Sequence, residues 1–169
     1  AIEILGAATV LCVDKTGTLT QNQMSVGRLY ADGHSVFVDE ASPSGLPEAF
    51  HRLVEYSILA SQRDPFDPME KAFHRLGNHH LGQTEHIHGD WTLVQQYPLS
   101  RELLAMSHVW RSPGGQDYVI AATGAPEAIA DLCHFDELQR RDLAGRIAEM
   151  ADEGMRVLGV ARARFTQTN

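Results

Sequence analysis

The stretch Ala7-Ala8-Thr9-Val10-Leu11-Cys12-Val13-Asp14-Lys15-Thr16-Gly17-Thr18-Leu19-Thr20 decides how the rest of the chain is read. Ala7 to Val13 is a short, almost wholly apolar run that stops abruptly at a charged, Thr- and Gly-rich segment, as a buried parallel strand does on reaching a loop. Asp14 is therefore expected at the carboxyl end of a strand, the edge at which open α/β sheets bind ligands.

Beyond Met24 the pattern changes. Val26, Leu29 and Tyr30, then Asp32-Gly33, then Val36, Phe37 and Val38 read as a hairpin around an Asp-Gly turn. A Ser/Pro/Gly-rich loop, Asp39 to Pro47, leads into a helix with Phe50, Leu53, Val54 and Ile58 at i, i+3, i+4 and i+8. Asp67 followed by Pro68 marks the start of a second helix, expected to run to about Leu76, and Glu70 fits the third position of a capping box. A polar loop from Asn78 to Asp90 follows. Strands are expected over Thr92 to Tyr97, Leu103 to Arg111 and Gln116 to Ala122, with the last two joined by Ser112-Pro113-Gly114-Gly115, as an antiparallel meander. Helices over Pro126 to Cys133 and Glu137 to Asp152 come next, the longer one burying Leu143, Ile147, Met150 and Ala151. A last strand, Arg156 to Arg164, closes the pattern. The expected layout is the start of a parallel α/β domain (1–23), an inserted α+β domain with an antiparallel sheet and flanking helices (24–164), and a return linker (165–169).

Composition narrows the function. With 169 residues, 22 acidic and 14 basic side chains and a formal charge of -8, the chain is an ordinary globular one with no Lys/Arg-rich run, so nucleic acid is a poor partner. An anionic ligand would need a local site or an escorting divalent cation. Cys12 and Cys133 lie far apart without CxxC spacing, which fits a reduced setting. No apolar stretch reaches the roughly 20 residues of a membrane span, so the chain itself is expected to be soluble, and its start inside a strand-like segment points to a piece of a larger protein. His79-His80 and His86-Ile87-His88 lack the spacing of a zinc site and read as a solvated loop.

Asp14 to Thr20 matches at all seven positions the DKTGTLT signature of P-type cation-transporting ATPases, and the chain resembles that family. The resemblance implies a haloacid-dehalogenase-like phosphorylation domain, truncated here, into which a nucleotide-binding domain is inserted. It implies ATP as substrate and Mg2+ as cofactor, with Asp14 forming an aspartyl phosphate, Lys15 and Thr18 contacting phosphoryl oxygens, and Asp14 and the Thr16 carbonyl holding magnesium. Haloacid-dehalogenase-like soluble phosphatases with a large cap domain share the nucleophile, but carry a second acid where this chain has Thr16. A threonine cannot act as general acid near neutral pH, so the acyl phosphate should persist, as a pump requires. A regulatory nucleotide-binding module without catalysis is a further alternative.

Three more segments resemble the nucleotide-binding domain of type II, calcium-pump-like members: Asp67-Pro68-Met69-Glu70-Lys71-Ala72, Gly124-Ala125-Pro126-Glu127 and Gly154-Met155-Arg156-Val157-Leu158. By that likeness Glu70 hydrogen-bonds the adenine amino group, Gly124 and Ala125 line the base, and Arg156 reaches the phosphates. The absence of a His-Pro dipeptide separates the chain from heavy-metal pumps. Two departures stand out. Thr123 occupies the place of a pocket lysine, and Leu99 and Leu104 fall where an aromatic residue and another lysine are usual, leaving Arg101 as the positive charge. The resemblance implies transmembrane and actuator domains elsewhere in the same protein, and a membrane location with this portion on the cytoplasmic side.

Overall fold

A computed structural model describes residues 9–10, 12–39, 45–115 and 117–166. Strands β1 (Arg28–Ala31) and β2 (His34–Phe37) form the expected hairpin, with Leu29 opposite Val36. Its turn residues, Asp32 and Gly33, both take positive φ (50° and 79°), the conformation that matches the twist of a two-residue hairpin.

A short turn, Glu48–Phe50, opens into α1 (His51–Leu59), and α2 (Pro68–Leu81) packs beside it. The apolar spacing becomes a core here: Leu29, Phe50, Val54, Leu76 and Leu81 form one cluster that ties the hairpin to both helices. Burying Leu76, which is 1% exposed, contributes about 1.5–3 kcal/mol. Helix α2 runs one turn past the expected end at Leu76, because Leu81 is fully buried and prolongs the apolar stripe.

Strands β3 (Thr92–Tyr97), β4 (Ala105–Arg111), β5 (Asp117–Gly124) and β6 (Gly159–Thr166) form an antiparallel meander in that order. Alternation splits the sheet's two faces. Trp110, Val119 and Ala121 meet Tyr56, Leu59 and Ala60 of the α1 segment, whereas Ala105 and Ala122 meet Ile129 of α3 (Pro126–Leu132). The final helix, α4 (Glu137–Asp152), starts on a capping box in which Asp136 accepts from the Gln139 amide and the Gln139 side chain accepts from the Asp136 amide. The architecture is thus a mixed α/β domain with a four-stranded antiparallel sheet and flanking helices.

Several boundaries move. Strand β5 continues through Thr123 and Gly124, where small residues pair with Met106 and Ala105. Strand β6 begins at Gly159, leaving Arg156 in the preceding loop, and takes in Phe165 and Thr166 of the expected linker; 167–169 lie outside the described residues. Helix α4 has no fully buried residue: Leu143, Ile147 and Met150 are half-buried and face a cleft, and Ala151 is exposed. Of the expected strand Ala7 to Val13, residues 7, 8 and 11 lie outside the described residues, as do 40–44 of the Asp39 to Pro47 loop and Gln116. The described remainder of that strand has no strand partner, with Val10 78% and Val13 42% exposed. An extended segment needs a neighbour for its backbone groups, and no described strand lies alongside this one.

Candidate functional site

The loop after Val13 is built by its own residues. Asp14 Oδ1 accepts a hydrogen bond from the Thr16 amide at 3.3 Å, the Thr20 hydroxyl donates to the Lys15 carbonyl at 3.3 Å, and Gly17 sits at φ 77°. Residues 12–25 are exposed throughout. Asp14, Lys15, Thr16 and Thr18 therefore present carboxylate, ammonium, carbonyl and hydroxyl groups to solvent, and the loop's side-chain hydrogen bonds stay within residues 14–20.

A second constellation lies where the α1–α2 connection meets the sheet. Asp67 caps α2 by accepting from the Met69 amide at 2.7 Å, as its spacing predicts. Glu70 does not complete a capping box. It is 6% exposed, and its carboxyl engages the Gln62 backbone; burial, offset by that hydrogen bond and aided by Asp67, raises its pKa above 4.5. One turn on, burial lowers the pKa of His74, which leans on the same Gln62 backbone and leaves a buried Nε2 without a partner. His108 of β4 donates from Nδ1 to the Leu59 carbonyl at 3.1 Å, the oxygen that also accepts from Trp110 Nε1 at 2.7 Å, and the Gln96 amide lies 3.4 Å from its Nε2. Burial lowers the His108 pKa, in keeping with a neutral ring that donates at one nitrogen and accepts at the other. Gln62, His74 and His108 carry no sequence motif. Helix geometry places His74 one turn from Glu70, the return of the chain brings the Gln62 backbone to both, and helix–sheet packing brings His108 to the Leu59 end of α1.

The small-residue segment is also part of the sheet. Thr123 is 4% exposed and donates from Oγ1 to the Gly159 carbonyl at 3.1 Å. Gly124 pairs with Ala105 on one side and Gly159 on the other, and the Ala125 amide donates to the Leu104 carbonyl at 2.8 Å. A Cβ on Gly124 would run into the Leu104 carbonyl and the Ala105 backbone, so close strand approach requires glycine there. Leu99 and Leu104 are more than half exposed, and Arg101 stands exposed in the same β3–β4 connection.

Arg156 is placed elsewhere. It lines an apolar cleft of about 520 Å³ between β1, α2, α4 and the 154–160 segment, with Met155, Arg146 and Leu143; Glu70 is not in its wall. The histidines also depart from expectation. His79 and His80 belong to α2, and His86 and His88 are packed against Glu55: His86 Nδ1 donates to one carboxylate oxygen at 2.6 Å and His88 Nε2 to the other at 2.8 Å. A buried carboxylate on α1 needs donors, and this pair supplies them where a solvated loop was expected. Among the described residues no group of three His, Cys, Asp or Glu side chains could hold a metal ion, and no helix is long and apolar enough to cross a membrane.

The antiparallel sheet with flanking helices is compatible with a nucleotide-binding domain. No protein-family model matches the chain. Its similarities to curated proteins fall on cation-transporting ATPases. It is 29% identical over 191 residues to the "Probable cation-transporting ATPase F" of Mycobacterium tuberculosis, covering 94% of this chain and 21% of that protein. It is 28% identical over 169 residues to plasma membrane ATPase 1 of Saccharomyces cerevisiae, covering 97% and 17%. The sodium/potassium exporting P-type ATPase cta3 of Schizosaccharomyces pombe is 27% identical over 213 residues, covering 95% and 20%. Such coverage takes in both the Asp14 loop and the sheet, and the chain spans about a fifth of the length of these relatives.

Proposed function

We propose that this chain is the ATP-binding and phosphate-accepting portion of a P-type, ATP-driven cation pump of the type II class. The observation that carries the reading is the intact Asp14 to Thr20 heptad on an exposed loop, supported by relatives named as cation-transporting ATPases. The end of β5 at Thr123, Gly124 and Ala125, together with Glu70 of α2, receives the adenine. Glu70 accepts from the exocyclic amine and Arg101 supplies charge toward the phosphates, with Arg156 approaching them from the cleft beside α4. Asp14 is the nucleophile: its carboxylate oxygen forms a bond to the terminal phosphorus as the bond to the bridging oxygen breaks, leaving an aspartyl phosphate and ADP. Lys15 and Thr18 stabilise the charge that spreads over the phosphoryl oxygens.

The Asp14 carboxylate and the Thr16 carbonyl form an all-oxygen, solvent-facing donor set, which fits a hard cation that keeps waters and shares phosphate ligands. Mg2+ held there with ATP supplies charge neutralisation. Thr16 offers no general acid for hydrolysis of the acyl phosphate, which sets the reading apart from a soluble phosphatase, and the relatives do not favour that alternative. In the whole protein the acyl phosphate drives transport through transmembrane and actuator domains, with this portion facing the cytoplasm.

Calorimetric titration of the chain tests the nucleotide half of the proposal. Wild type binds ATP weakly, Glu70→Gln loses the preference for ATP over GTP, and Thr123→Lys tightens ATP binding while losing the bond to Gly159. Equal affinity of the wild type for ATP and GTP, unaltered by Glu70→Gln, counts against this site.

A further inference from the structure

Phe66 is the most exposed large hydrophobic residue among those described, at 89%. Of the other exposed phenylalanines, Phe165 pairs with the Tyr118 ring at 6.4 Å, and Phe37, which is less exposed than Phe66, lies under the Arg28 guanidinium at 5.0 Å. Phe66 has only the Lys71 ammonium, 5.5 Å from its ring centroid. The segment presenting it is stiff. Pro65 and Pro68 restrict the backbone on both sides, Ser61 is buried before it, and the Asp67 cap on the Met69 amide fixes the helix start just after it. A ring on a stiff segment loses little entropy when a flat ligand stacks on it.

Within six residues, 66 to 71, the chain therefore displays an aromatic face and a cation and holds, buried beside the Gln62 backbone, the Glu70 carboxyl group. A purine nucleotide asks for those three: a π surface for the base, an acceptor for an exocyclic amine and positive charge for phosphate. The end of the sheet supplies no ring, since Leu99 and Leu104 are aliphatic and Thr123 is pinned to Gly159, and its exposed cation is Arg101 alone among these positions. Resting on the nucleotide reading above, we infer that Phe66 is the platform on which the base stacks and Lys71 the cationic arm that reaches its phosphates, so that the segment before and at the start of α2 is the specificity element of the site.

The test is calorimetric titration of the full chain with adenosine, ADP and ATP, using wild type, Phe66→Ala, Phe66→Trp and Lys71→Gln. Both side chains are exposed, so the variants leave the core intact, which circular dichroism checks. Phe66→Ala should weaken all three ligands alike, by about fivefold or more, and Phe66→Trp should restore binding with indole fluorescence quenched by the base. Lys71→Gln should weaken ATP by about threefold or more and spare adenosine. Wild-type binding of ATP with Phe66→Ala within twofold overturns this inference and leaves the nucleotide reading standing. Absence of any nucleotide binding by the wild type overturns both.

Discussion

Replacing Gly124 by alanine probes the point at which sheet packing and the candidate base site meet. The added Cβ would strike the Leu104 carbonyl oxygen, the Ala105 Cα and the Ala105 Cβ. Two of those atoms are backbone on a strand paired in register with β5, so relief requires prying β4 from β5. Overpacking of that kind costs about 1–3 kcal/mol. Shifting Leu104 also threatens its 2.8 Å bond from the Ala125 amide, worth about 1 kcal/mol. The expected loss is about 2–4 kcal/mol together, which at a slope of about 2 kcal/mol per molar urea moves the midpoint down by about 1–2 M with the slope unchanged. Gly145→Ala is the internal control. Gly145 lies in α4 with nothing within 4 Å of its would-be Cβ, so alanine there should raise stability by about 0.5–1 kcal/mol. If the Gly124 variant unfolds at the wild-type midpoint, the strands are not held as close as described and glycine has no packing role there.

Two further perturbations read the parts of the domain that hold the site. Glu55→Ala removes the common acceptor of His86 and His88, and should lower stability by about 1–3 kcal/mol and speed amide exchange over residues 82–91; unchanged exchange there would refute the packing of this loop on α1. His108 and His74 have folded pKa values held below 6.5 by burial, so the unfolded chain binds their protons more readily. Their contribution to stability is full above pH 6.5 and is lost as the pH falls through that value toward the folded ones. The raised pKa of Glu70 works in the opposite direction, with its contribution present below pH 4.5 and lost as the pH rises through the folded value. Urea melts at pH 7.5 and 5.5 should therefore show wild type weaker at the lower pH and a smaller difference in His108→Gln; equal pH dependence would contradict the buried, neutral His108.

Local chemistry made much of this fold legible. The Asp32-Gly33 turn, the Asp67-Pro68 helix start and the i, i+3, i+4 spacing around Val54 each act over a few residues, and each produced the expected element. The end of β5 was harder to read, because Ala121 to Gly124 carry no alternation and their strand character comes from pairing with β4 and β6. The place of Glu70 was not legible locally: its spacing from Asp67 suggests a capping box that does not form, and its bond to the Gln62 backbone depends on the chain doubling back between α1 and α2. The bonds from His86 and His88 to Glu55 span 31 and 33 residues, beyond any local spacing rule. The apolar run before Asp14 predicts a buried strand, but burial takes neighbours on both sides, and no described strand provides them.

Asp14 as phosphate acceptor is tested by one measurement: phosphorylation of the full-length protein by terminally labelled ATP, followed by acid quench and peptide mapping. The expected result is a phosphate that survives acid, is released by hydroxylamine, maps to Asp14 and disappears in Asp14→Asn while ATP binding persists. A label that remains in Asp14→Asn, or turnover of ATP with no acyl phosphate at this residue, would contradict it.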